Sequence, residues 1–183
     1  MPKKNVKRMC YAALLAAMYL PLSLYAAVQV GNVRISFGSL PVVVAALLFG
    51  PVDAVIVAMV GEFFKQLLTY GLTYTTVLYL IPPALRGLVV GLGALALLSL
   101  RGRRLEERRM LCYAVCIAAA VCTTLGNTLV NWLDSVLMGY YFPGLILGDF
   151  VWRLIVGMIN AVVMSSLAIP LVKTLRQRNV VSL

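Results

Sequence analysis

Four polar side chains, Glu62, Lys65, Gln66 and Arg86, interrupt an otherwise strongly apolar stretch between Arg34 and Gly91. An ionisable group inside such a segment is costly at membrane depth, so it faces a bundle interior or a water-filled cavity and marks a functional path. Further along, Thr123, Asn127, Asn131 and Asp134 recur at steps of four, four and three, which puts them on one helical face. Asp149, Arg153, Gly157 and Asn160 form a second polar face. These groups are equipped to hold a ligand by charge and hydrogen bond. The chain has no histidine, and so lacks the commonest general base and the commonest metal ligand. It also has no G-x-x-x-x-G-K-[ST] phosphate loop, and Ser39 after Gly38 has no histidine partner. Recognition is indicated rather than catalysis, with no metal and no cofactor.

The elements that position these groups follow from composition. Of 183 residues 62% are apolar and only 12% charged, against about 25% charged in a soluble domain, so the chain reads as an integral membrane protein. The net charge of +10 does not indicate nucleic acid, because the cations are not arrayed along one accessible face. Most fall in three short clusters: Lys3, Lys4, Lys7 and Arg8; then Arg101, Arg103, Arg104, Arg108 and Arg109; then Lys173, Arg176 and Arg178. Basic clusters flanking apolar segments mark cytoplasmic loops. The cysteines Cys10, Cys112, Cys116 and Cys122 read as small buried hydrophobes, not a disulfide framework.

Six apolar segments are expected to form helices, at about residues 9–30, 37–49, 54–70, 82–100, 110–138 and 146–175. Pro21 interrupts the first apolar run and no clear cleavage site follows, so this segment is expected to be a retained span rather than a signal peptide. It carries Ala12, Ala13, Ala16 and Ala17, a bulk-free face suited to close helix approach, either within the subunit or against another membrane protein. The second segment is shorter than the ~30 Å hydrocarbon core. Gly50-Pro51 ends it in a turn, with Asp53 as the expected N-cap of the third. Counting the second and third as separate spans brings all three basic clusters to one side. Gly87-x-x-x-Gly91 suits internal packing, and Glu106-Glu107 reads as part of a solvated hairpin.

On this topology Lys65, Arg86, Asp134, Asp149 and Arg153 gather towards the outer helix ends, as one outward pocket requires and a continuous ion path does not. Glu62 with Lys65 or Gln66, and Asp149 with Arg153, also have the spacing of intrahelical partners that satisfy each other. Arg34 and Arg86 have no such local partner and are the better placed to bind a ligand carboxylate. Trp132, Trp152, Tyr74, Tyr79, Tyr140 and Tyr141 form either an interfacial aromatic belt or stacking surfaces for a planar ligand.

The order and spacing of several motifs resemble the substrate-binding S components of energy-coupling factor (ECF) vitamin transporters. They are Ala12-x-x-x-Ala16, R-I-S-F-G-S-L-P at 34–41, L-F-G-P at 48–51 and R-G-x-x-x-G at 86–91, and the second and third look most like the folate-type branch. The resemblance implies an all-α membrane protein with six transmembrane helices and both termini cytoplasmic. It implies one substrate-binding domain over residues 1–183, in a bacterial cell membrane. It also implies a vitamin-like small molecule, folate-like or else riboflavin, pantothenate or another micronutrient, bound without a cofactor. The expected contacts are Arg34, Lys65, Tyr74, Tyr79, Arg86, Asn127, Asn131, Asp134, Asp149 and Arg153. The implied partners are a membrane coupling subunit meeting Ala12, Ala13, Ala16 and Ala17, two cytoplasmic ATPase subunits and the lipid bilayer, with no nucleic acid. The chain also resembles MreD-like scaffolds of cell-wall elongation, which bind partners without a ligand; its polar helix faces argue against that reading.

The charge pattern makes a topological prediction. Cysteines introduced singly between residues 101 and 109 should react with membrane-impermeant maleimide only after the cell is opened; labelling of intact cells would reverse the orientation.

Overall fold

A computed structural model describes residues 3–30, 33–102, 104–142, 144, 148 and 150–177, with the backbone alone at 3–5, 28–30, 33–35 and 101. Among the described residues six α-helices make up most of the structure: α1 (Lys3–Leu24), α2 (Ser39–Phe49), α3 (Pro51–Tyr70), α4 (Ile81–Arg101), α5 (Arg109–Leu137) and α6 (Phe150–Gln177). The architecture is that of an all-α membrane protein. Among the described residues, the segments Leu78–Leu100, Arg109–Leu137 and Phe150–Gln177 are long and apolar enough to cross a membrane on their own.

The expected first helix runs too far. It stops at Leu24, and Ala27–Val30 (β1) pairs antiparallel with Val33–Ser36 (β2), Gln29 opposite Arg34. Alternating β-branched and polar residues in AVQV and VRIS suit a pleated ribbon better than a helix. Arg34 therefore lies in a strand rather than a loop, and its side chain is outside the described residues.

Helix α2 lies at the centre. Ten of its 11 residues are buried, and the main apolar cluster is built around Val43–Phe49 with Ala54, Val57, Val90, Cys116, Ala168 and Val172 from its neighbours. At 1.5 Å per residue it is about 16 Å long and does not traverse a bilayer alone. Gly50, at φ 94°, turns the chain directly into α3, whose first residue is Pro51. Asp53 is consequently inside the first turn and caps nothing with its side chain; it pairs with Arg8 of α1 instead. Close approach of α4 to α3 depends on glycine: a Cβ at Gly91 would lie 2.4 Å from Pro51 Cα, and one at Gly87 2.9 Å from the Ala54 carbonyl.

The alanine face divides in two. Ala16 is buried and Ala12 packs beside it on the core, whereas Ala13 and Ala17 are exposed. The Ala12–Ala16 pair therefore serves packing inside the subunit, because its side of α1 is already occupied.

One end of the bundle gathers the N-terminal part of α1, the α2–α3 turn, the α4–α5 loop and the end of α6. Arg8 donates to Phe49 O (3.0 Å) and Arg176 to Leu47 O (2.7 Å), while Arg176 also pairs with Glu106 at 2.8 Å. Glu106 is only 3% exposed, so the solvated hairpin expected at 106–107 is half wrong: Glu106 turns inward because Arg176, 70 residues later, supplies its countercharge. Removing one partner of a buried ion pair typically costs ~3–5 kcal/mol. Glu106→Ala should therefore lower the melting temperature far more than Glu107→Ala, as read by thermal denaturation in detergent.

Candidate functional site

The other half of the bundle holds an open cavity of about 650 Å3, within the usual range for small-molecule sites. Each helix reaches it by a different route. α3 contributes Glu62, Lys65 and Gln66, successive members of one face; α4 contributes Pro82, Pro83 and Arg86 from its first two turns; α5 contributes Thr123, Thr124, Asn127, Asn131 and Asp134. α6 adds Arg153, Gly157 and Asn160, and the connection before α4 adds Thr73, Thr75 and Tyr79. Tyr19 of α1, with Ser36 and Ser39, completes the wall.

Glu62 is the best-satisfied charge in this wall. Its Oε1 accepts from Lys65 (2.8 Å) and Gln66 (2.8 Å), and its Oε2 from the Tyr19 hydroxyl (2.6 Å). Tyr19 can come this close because residue 61 is glycine, where a Cβ would lie 2.5 Å from the ring. Lys65 is thereby neutralised within its own helix. Asp134 is similarly engaged, accepting from Tyr79 (3.1 Å) and from Tyr140. That bond to Asp134 raises the pKa of Tyr140, which follows the end of α5, and so keeps its proton in place. Arg86 contrasts with both: its guanidinium lines the cavity with no ion-pair or hydrogen-bond partner among the described residues.

Of the expected contacts, the cavity thus brings together Lys65, Tyr79, Arg86, Asn127, Asn131, Asp134 and Arg153. Tyr74 is not among the lining residues: it is 99% exposed on the connection between α3 and α4, between the lining Thr73 and Thr75. Asp149 and the Arg34 side chain lie outside the described residues, so the Asp149–Arg153 pairing does too. Trp132 and Trp152 are half-exposed on the bundle surface, as belt residues would be. Tyr19 and Ser39 were not foreseen, since a single tyrosine or serine in an apolar helix carries no periodic signal. Thr123 and Asn160 could have been selected, for both stand on the polar faces read from spacing.

A family model described as "ECF-type riboflavin transporter, S component" matches residues 3–177. No curated protein sequence matches the chain. Among solved structures, one described as "Structure and mechanism of the S component of a bacterial ECF transporter" superposes with a TM-score of 0.65 at 20% identity, covering 95% of this chain and 98% of that one. At that identity the likeness is one of fold.

Asp134 joins α5 to the segment leading into α4, so its first role is to hold the rim of the cavity. A hydrogen bond to a charged group contributes about 1.5–3 kcal/mol. Asp134→Ala should lower thermal stability by about that amount, and Tyr79→Phe by less because Tyr140 still satisfies the carboxylate. A melting series on the three proteins checks the order.

Proposed function

Because the chain belongs to the family of ECF-type riboflavin transporter S components, we propose that it is the substrate-specificity subunit of such an importer and that its cavity holds riboflavin. It is not an enzyme; it binds its substrate and hands it on. The observation that carries the reading is the polar cavity itself. Its volume of about 650 Å3 suits a tricyclic ring with a polyol chain, and the amides of Asn127, Asn131 and Asn160 and the hydroxyls of Thr123 and Thr124 suit the hydroxyl groups of such a chain. A scaffold that binds only proteins has no use for a wall of this kind.

The folate-type motifs span two short stretches, whereas the riboflavin-type family match runs over residues 3–177, which is why riboflavin is preferred. One observation favours the folate-like reading in second place. Arg86 makes no direct ion pair or hydrogen bond among the described residues, and a folate carboxylate would provide one. The cavity lies away from the basic end of the bundle, so with that end in the cytoplasm the ligand enters from outside. A membrane coupling subunit and two cytoplasmic ATPase subunits complete the transporter in this reading. The exposed Ala13 and Ala17 of α1 are the part of the alanine face open to the coupling subunit.

Calorimetric titration of the purified protein with riboflavin, folate and pantothenate tests the proposal. Riboflavin should bind with a dissociation constant of about 1 μM or tighter, corresponding to ~8 kcal/mol. Binding of folate with riboflavin silent would shift the assignment to the second reading, and silence towards all three would overturn the proposal.

A further inference from the structure

The basic end of the bundle holds a cleft of its own, which shares no lining residue with the large cavity. Its volume is about 50 Å3, and it lies where the end of α2 meets α4, the loop after α4 and the end of α6. A water needs ~10–15 Å3 by this measure, so the cleft has room for about three to five heavy atoms.

Its walls are of two kinds. Arg104, Glu106 and Arg176 provide charge, and Ala94, Leu95 and Leu98 of α4 provide an apolar side. Leu95 and Leu98 are 40% and 37% exposed on a segment long and apolar enough to cross a membrane, so that side borders on acyl chains.

The charges lining the cleft do not balance. Glu106 pairs with Arg176 at 2.8 Å, whereas Arg104 makes no direct ion pair or hydrogen bond among the described residues. Glu107, the next acid along, is exposed and stands outside the wall. Two guanidinium groups against one carboxylate leave a surplus of one positive charge. Arg176 is also incompletely used. Its Nε meets Glu106 and its Nη2 donates to Leu47 O, but Nη1 is buried with no hydrogen bond among the described residues. Buried polar groups are paired in roughly 90% or more of cases, so an acceptor is wanted at this spot.

We infer that the cleft binds the phosphodiester of an anionic phospholipid. A phosphorus with its oxygens is about the size of the space, and its single negative charge equals the surplus. Arg104 donates to the non-bridging oxygens, a geometry for which a planar guanidinium is suited. The glycerol and acyl chains leave along Leu95 and Leu98. Basic pockets between membrane helices take lipid head groups by the same physics. A soluble phosphate leaves the leucine side unused, and a zwitterionic lipid brings no net charge to offset the surplus. An occupied cleft ties α4, its following loop and α6 to the end of α2. The inference goes beyond the transport reading and does not depend on which vitamin the large cavity holds.

The test uses the full-length protein, delipidated in neutral detergent. It is titrated with phosphatidylglycerol, with phosphatidylcholine of the same chains, and with glycerol 1-phosphate; native mass spectrometry counts bound lipid and a melting curve is taken for each sample. Phosphatidylglycerol should be retained and raise the melting temperature, and the other two should do neither. Arg104→Gln should melt as the wild type does without lipid, yet bind phosphatidylglycerol about tenfold or more weakly, as the loss of a charged hydrogen bond requires. Arg109→Gln makes the same charge change at an exposed residue outside the cleft. It should lose about fivefold or less, the worth of one cation in the surface field. Equal losses in the two variants assign the effect to general surface charge and overturn the site. Equal retention of phosphatidylcholine overturns it as well, and stabilisation by glycerol 1-phosphate overturns the lipid in favour of a soluble anion. A lowered melting temperature of lipid-free Arg104→Gln shows that Arg104 already has a partner within the protein, which also overturns the proposal.

Discussion

The structure depends on how the chain disposes of a helix that is too short. With 11 residues, α2 ends inside the bundle, where its last carbonyl groups would otherwise face hydrocarbon unpaired. Gly50 N–H bonds to Ala46 O, Arg176 reaches Leu47 O and Arg8 reaches Phe49 O. The two arginines come from the first and last helices, so satisfying one buried helix end also closes the ring of surrounding elements. Their own charges are met by Asp53 and Glu106. The basic residues at this end thus divide into those that set orientation by remaining in water and two that are part of the packing.

This arrangement leaves the opposite half free to be polar inside. α2 begins at Ser39, on the cavity wall, so the same short helix that needs arginines at its far end provides a hydroxyl at its near end. Between the two lies the dry layer formed by Val43–Phe49 and its neighbours. Solvent entering the cavity meets that layer before it can reach the basic end.

Much of this was legible in the sequence, for a physical reason. A charge or amide inside an apolar segment is too costly to be incidental, and Lys65, Arg86, Asn127, Asn131, Asp134 and Arg153 accordingly gather around one space. What composition could not reveal was which of them are already paired. The Glu62–Lys65 spacing fitted either self-satisfaction or ligand binding, and the Tyr19 hydroxyl that completes the network comes from 43 residues away. Glu106 was misread for the same reason, since its neighbours in sequence are arginines in a loop and its actual partner is on α6. The end of the first helix was missed because the apolar run continues through Ala27 and Val28 with no breaker after Pro21, and only strand pairing distinguishes it.

The phase of α1 has one further consequence. Tyr19 faces the cavity, and Ala13 and Ala17 face away from the bundle on the opposite side of the same helix. At this point the partition between bound ligand and the surroundings is a single helix thick, about 10 Å. A protein seated on the outer alanines would be insulated from the ligand by one backbone and the ring of one tyrosine.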